Sequence, residues 1–298
     1  WSHEISSDTV ISADFINSLG RDLNFRPRVN QRILGTTTRR IAALIAPGTL
    51  NPNSNATRPA TSFGSESTYN ALIVAARRRL SKGIDFTASY TLSKGTSNIG
   101  NASDELNTAN IQDPNNPFND PRQFGPNRTT DARHRVNVTA TFALPFGFNV
   151  APIFFYRSAL PVDLTDGRDV NLDGDATEIP ARAFRVTSVD RTTGKSTIED
   201  FGACETVNCG RGWAQSQLNI RVSKVFRLGG RAHVEAIGEV FNLFNALNPG
   251  QGPAGTNRNV NIASTGLANP NLLQPTTFSG DFQRPEQRVG QIGFRFAF

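Results

Sequence analysis

Read backwards from its C-terminal end, the chain alternates. Phe298, Phe296, Phe294, Ile292 and Gly290 fall on one face of an extended backbone, and Ala297, Arg295, Gly293 and Gln291 fall on the other. Period two is the strand period. The pattern recurs upstream. Leu218, Ile220, Val222 and Phe226 alternate with Gln217, Asn219, Arg221, Ser223 and Arg227. Val136, Val138, Ala140, Phe142 and Leu144 alternate with Asn137, Thr139 and Thr141, and Ile84, Phe86, Ala88, Tyr90 and Leu92 with Asp85, Thr87, Ser89 and Thr91.

The spacing of these segments adds direction. They pair across very short links: Ser6-Ser7-Asp8, Ser81-Lys82-Gly83, Pro145-Phe146-Gly147 and Gly229-Gly230. All four carry hairpin-turn chemistry. Between the pairs lie long polar stretches at roughly 20–66, 95–132, 161–212 and 246–286. Loops of that length are unusual in a compact soluble domain. Alternating short turns and long loops mark an outer-membrane β-barrel, with turns in the periplasm and loops outside. Strands at about 287–298, 231–245, 213–228, 148–160, 133–144, 84–94, 67–80 and 9–19, with a stub at 1–5, satisfy that alternation by simple counting. A β-sandwich alternates too, but has no reason to sort its loops by side. Tyr69, Tyr90, Tyr156 and Trp213 then fall near outer strand ends, and Phe146, Phe148, Phe226, Phe296 and Phe298 near periplasmic ends. Two such belts are expected at the bilayer interfaces.

The pattern has two irregularities. Arg78 stands in the apolar register between Ala76 and Leu80, which a snorkelling side chain or a bulge would accommodate. Pro152, between Val150 and Phe154, predicts a bulge because it removes a ladder hydrogen bond. The predicted fold is all-β: a transmembrane antiparallel barrel, present as a C-terminal fragment of about eight complete strands and a stub. An unpaired edge is costly in lipid, so a larger parent barrel is expected. A closed barrel of the eight complete strands would leave the stub over.

Composition narrows the picture. Among 298 residues there is no Met, and the chain begins at Trp1, which predicts a piece of a longer protein. No apolar run is longer than that of Ile41 to Ala46, far short of the ~18 residues of a membrane helix. The 21 Phe argue against disorder. Net charge is +6, with pI near 9.9. No basic run alternates with aromatics as single-strand binders require, so nucleic acid is not an expected partner.

A set of motifs now stands in order along the chain: Phe15-Ile16-Asn17-Ser18-Leu19-Gly20-Arg21-Asp22-Leu23, Tyr69-Asn70-Ala71-Leu72, Tyr90-Thr91-Leu92-Ser93-Lys94, Asp131-Ala132-Arg133-His134-Arg135, Leu144-Pro145-Phe146-Gly147, Arg221-Val222-Ser223-Lys224 and Glu239-Val240-Phe241-Asn242-Leu243-Phe244-Asn245. Together they resemble the barrel of TonB-dependent receptors, in their Oar-like branch. The resemblance implies a barrel of about 22 strands with a plugged lumen. It also implies a plug, a TonB-contacting segment and a carboxypeptidase-regulatory-like β-domain, none of which this chain contains. No energy-coupling residue therefore maps onto it.

Candidate chemistry is sparse. Phe294, Phe296 and Phe298 look like the terminal signal read by the barrel-assembly machinery; the alternative is an ordinary last strand. Asp169, Asn171, Asp173 and Asp175, with Gly174, match the first half of an EF-type loop, so Ca²⁺ is a candidate cofactor. Pro180 stands where that loop needs its bidentate Glu. Cys204 and Cys209 suit a local disulfide in an oxidising compartment better than a zinc site, since His3, His134 and His233 are distant in sequence. No nucleophile–base constellation is visible around His134, and no enzyme is expected. Asp85, Thr87, Ser89, Asn219, Arg221, Gln291 and Arg295 face the expected lumen, where they guide substrate or dock a plug; His233 and Glu235 share that face and are expected to hydrogen-bond across strands or to a plug. Arg21, Arg26, Arg28, Arg32, Arg39 and Arg40 offer charge to anionic ligands or lipopolysaccharide phosphates, the alternative being plain solvation. The expected function is ligand uptake through the outer membrane, driven by TonB. The alternative is a surface adhesion or secretion-related barrel. The ligand is not legible.

Overall fold

The computed structural model describes residues 1–27, 32, 33, 36, 38, 62–98, 108, 109, 112, 113, 120–172, 174, 176–250, 255–276, 278 and 288–298. Eleven strands carry the architecture: β1 Ser2–Ser6, β2 Thr9–Pro27, β3 Ser62–Ser81, β4 Ile84–Ser97, β5 His134–Leu144, β6 Phe148–Arg157, β7 Arg182–Val189, β8 Ser196–Ala203, β9 Gln215–Gly229, β10 Ala232–Phe241 and β11 Val289–Ala297. Nine of them form one antiparallel sheet in the order β1-β2-β3-β4-β5-β6-β9-β10-β11. Each neighbour in the sheet is the next such strand in the chain. This is the meander that short turns dictate, since hairpin partners pair before distant ones. The sheet is open, with β1 at one edge and β11 at the other.

The turns are built as their residues require. Lys82 and Gly83 both take positive φ (51° and 78°), the primed geometry that matches strand twist. Phe146 and Gly147 do the same at 64° and 79°. A ten-residue strand such as β6 rises about 33 Å and, tilted about 40°, covers the roughly 25 Å apolar band of an outer membrane. β2 and β3 have 19 and 20 residues and stay paired out to Phe25↔Ser62. Residues 20–27 and 62–66, expected as loop, are therefore strand that continues past the apolar band.

Register sorts the two faces. Phe15↔Leu72, Leu72↔Leu92, Phe86↔Ala140, Val138↔Phe154, Leu218↔Phe154, Phe226↔Val234 and Ala236↔Phe294 put apolar side chains on one continuous face. Ile292, Phe296, Phe15, Phe294 and Leu19 are 81%, 70%, 71%, 66% and 59% exposed. Left in water, five such side chains forgo roughly 8–15 kcal/mol of burial, as much as the whole net stability of a domain. That face requires lipid. The opposite face carries Asp85, Thr87, Ser89, Asn137, Thr139, Asn219, Arg221, Glu235, Glu239, Gln291 and Arg295.

Pro152 departs from expectation. It pairs with Ile220 in unbroken register, and no bulge forms. On its other side the ladder to β5 lapses at Ala140 and Thr141, then resumes unshifted at Phe142↔Val150. Losing one ladder bond costs less than a register slip, which would turn every later apolar side chain toward the lumen. Arg78 also keeps register, opposite Thr9 and Phe86, with a shift between Arg78 and Ser81. Its guanidinium reaches the turn carboxylate of Asp8 at 3.4 Å.

The buried core lies in the loops, not under the sheet. Val162, Leu164, Leu272 and Leu273 cluster, with Phe184, Val186, Ile198, Cys209 and Val260 packed around them. β7 and β8 form a hairpin, and Arg185 pairs with Arg211, whose neighbour Gly210 pairs with Val162. This second, four-stranded sheet rises from the long connection between β6 and β9. No helix among the described residues is long and apolar enough to cross a membrane.

Candidate functional site

The loops form a cap at the outer ends of the strands. Among the described residues, hydrogen bonds tie three long connections together in it. Gln112 donates to the carbonyl of Thr177 at 2.9 Å, and the Ile179 amide donates back to Gln112 Oε1 at 2.8 Å. Asn208 Nδ2 donates to the Pro126 carbonyl at 2.9 Å, and the Val207 amide to the Arg122 carbonyl at 2.9 Å. The Leu273 amide reaches Asn257 at 2.7 Å, and the Val260 amide reaches Thr165 at 2.9 Å. Such ties satisfy backbone groups that a folded loop takes out of water.

Charges inside the cap are matched. Asp131 is 1% exposed and holds Arg211 at 2.9 Å. Arg258 Nη1 lies 3.1 Å from Asp163. Burial pushes the Asp163 carboxyl above its usual range, while Arg258 and Arg128 oppose that shift. Burial likewise lowers the Arg128 guanidinium. Asp166 is held low by its hydrogen bond from Arg168. Cys204 and Cys209 are joined by a disulfide, with Cα atoms 5.5 Å apart. Closing so short a loop is worth about 2 kcal/mol.

Beneath the cap, the polar face carries a ladder of ions. Arg221 lies 3.8 Å from Glu235 and 3.7 Å from Glu239, and Arg295 lies 3.5 Å from Glu235. Gln291 donates to Glu239. These groups span β9, β10 and β11 in two rows of the wall, at Glu239 and at Glu235. His233 meets only the Arg231 carbonyl, at 3.4 Å, among the described residues.

The apolar face has polar punctuation near its ends. Tyr90 and His134 share a 2.8 Å hydrogen bond across adjacent strands. Lys224 Nζ sits 4.5 Å from the Phe148 ring centre and 5.0 Å from that of Phe226. An ammonium over two rings at the periplasmic end can reach headgroups while its stem stays in the apolar band. Trp213 corrects the expected outer belt: it is 6% exposed and donates to Ser196 Oγ at 2.9 Å, inside the cap. Tyr69 pairs with Ser18 and Gly95 on the polar face.

The predicted residues divide by place. Phe294 and Phe296 lie on the apolar face of β11, with Phe298 just beyond it. In the acidic loop, Asp169 Oδ2 accepts from the Gly174 amide at 2.9 Å. Asp173 and Asp175 lie outside the described residues, as do Arg28, Arg39 and Arg40. Two arginines escaped sequence reasoning: Arg135 and Arg157 stand directly opposite each other on the polar face. Period two gives each its face but not its partner.

Comparison with known proteins follows the same lines. The family described as outer membrane beta barrel domain matches residues 1–269. No curated protein matches the chain. Among solved structures, the outer membrane transporter YddB from Escherichia coli aligns with TM-score 0.42 and 9% identity, over 83% of this chain. The chain spans 28% of that transporter's length. With residues 1–269 matched, the chain belongs to the outer membrane β-barrel domain family and resides in the outer membrane.

Proposed function

We propose that the chain is the wall and cap of a TonB-energised uptake receptor. The cap carries this reading. Two long loops share a buried core, and a third is tied to them by hydrogen bonds, above a polar wall, a shape suited to holding a ligand over a lumen. The ordered motif set that resembles the Oar-like receptors supports it as well. On this reading a plug from elsewhere in the protein docks on the ion ladder around Glu235, and TonB pulls on that plug. The chain performs no covalent chemistry. Phe294, Phe296 and Phe298 address it to the barrel-assembly machinery, and lipid and lipopolysaccharide surround its apolar face.

A strain lacking the protein and a strain lacking TonB should fail to deplete the same solutes from a defined medium, as read by mass spectrometry. If the protein-deficient strain depletes everything its parent does, the uptake reading is lost. A concurrent fall in surface attachment would replace it with adhesion.

A further inference from the structure

Arg135 on β5 and Arg157 on β6 occupy one cross-strand pair. Side chains so placed have Cβ atoms about 5 Å apart, and like charges there repel. Among the described residues neither guanidinium has an ion-pair or hydrogen-bond partner, and both Nε atoms are buried without one. Buried donors left unmatched in a native fold call for a reason.

The acids of the wall do not supply it. Asp131 holds Arg211. Glu239 lies in the cross-strand row of Ala151, six residues below Arg157 (157 − 151), roughly 20 Å along the strand. It already engages Arg221 and Gln291. Asp85, opposite Thr141, lies equally far below Arg135. Asp14 is in the same row but three strands away, through Ile73 and Thr91. The row continues instead with neutral groups: Thr91 flanks Arg135 and Gln215 flanks Arg157. Asn137, one step down the same face, adds a further amide.

The pair therefore presents two planar donor forks with polar neighbours, on the face turned from lipid and at the strand ends next to the cap. Lipid headgroups lie on the other side of the wall. Guanidinium forks match carboxylate and phosphate oxygens two at a time.

We propose that Arg135 and Arg157 form an anion site at the outer mouth of the lumen, taking a carboxylate or phosphate group of the ligand. That the anion is cargo rests on the uptake reading; the binding does not. The test is calorimetric titration of the intact protein, purified in detergent, with inorganic phosphate and separately with citrate, at ionic strength fixed by NaCl. One or both anions should bind the parent protein. R135Q/R157Q should weaken that binding at least ten-fold, R135K/R157K should fall between, and R231Q, at the periplasmic turn, should match the parent. Heat-modifiable mobility verifies that each variant is folded. Absence of binding to the parent, or equal binding by R135Q/R157Q, overturns the site. Absence of binding together with a lower melting temperature for R135Q/R157Q would assign the arginines to a carboxylate of the protein itself, which also overturns it. Binding is read without TonB, so a protein that binds anions but imports nothing fails only the uptake reading.

Discussion

Asp131 and Arg211 stand 80 positions apart in the chain and meet at 2.9 Å. The carboxylate uses both oxygens: Oδ2 takes the guanidinium, and Oδ1 accepts the Gly95 amide at 3.0 Å. Arg211 Nη1 adds a 3.3 Å bond to the Asp131 carbonyl. One buried side chain thus ties the end of β4, the approach to β5 and the approach to β9.

Removing that carboxylate leaves a half-buried cation without its counter-charge and the Gly95 amide without its acceptor. Asp131→Ala should loosen the cap by about 2–3 kcal/mol, and Asp131→Asn by less, because it keeps an acceptor for Gly95. Trypsin acting on intact cells should cut the cap of the Ala variant much faster than that of the parent. Equal cleavage would show that the tie is dispensable.

Gly125 marks a second close approach. A Cβ there would lie 2.0 Å from the Val207 carbonyl oxygen, a backbone atom that cannot swing aside. Val207 lies inside the loop closed by Cys204 and Cys209. Gly125→Ala should lift that loop at a cost of about 1–3 kcal/mol. The rate at which a mild reductant opens the disulfide should rise, and an unchanged rate would contradict the packing.

The β7–β8 turn has a pH dependence of definite sign. Asp190 accepts from the amides of Thr192 and Thr193 at 2.9 and 2.7 Å, and from the Thr193 hydroxyl at 2.9 Å. The Thr193 amide, then its hydroxyl, then the Thr192 amide hold the carboxyl below its usual range. A lowered folded-state pKa stabilises the turn above the unfolded value of about 3.9, and the gain is lost as pH falls through the folded value. Hydrogen exchange at Thr192 and Thr193, corrected for intrinsic rates, should be slow at neutral pH and fast in strong acid. Asp190→Ala should exchange fast throughout. Protection that persists in strong acid would refute the assignment.

Lys224 bridges β9 and β6 through two rings on the lipid face. In liposomes, Lys224→Ala should lower urea stability by about 1 kcal/mol, and Lys224→Arg should retain most of it. Identical midpoints for all three proteins would mean that the ammonium contributes nothing at the interface.

The wall was legible in the sequence because lipid penalises every slip. Ile292, Phe294 and Phe296 must share a face, so alternation alone located β11. The end of β10 was less visible. Phe241, Leu243 and Phe244 extend the apolar pattern, but Asn242 and Asn245 both take φ of 50° and turn the chain. Buried Asn242 then holds Ala246 through both its amide groups. Of the cap, little beyond the Cys204–Cys209 disulfide was legible. Leu164 meets Leu272 and Leu273 across more than a hundred residues, and its short strands lack enough alternation to announce themselves. The Arg135–Arg157 pair was hidden for a related reason: opposition across strands depends on register, which pattern alone does not fix.

The two cysteines are bonded to each other, so a new cysteine is a clean probe. The most direct measurement is labelling of single-cysteine substitutions at residues 292 to 295 in native outer membranes. Ile292→Cys and Phe294→Cys should react with a lipid-soluble maleimide and resist a charged one, while Gly293→Cys and Arg295→Cys should do the reverse. If the charged reagent labels all four positions equally, the apolar face does not meet lipid, and this account of the sheet is wrong.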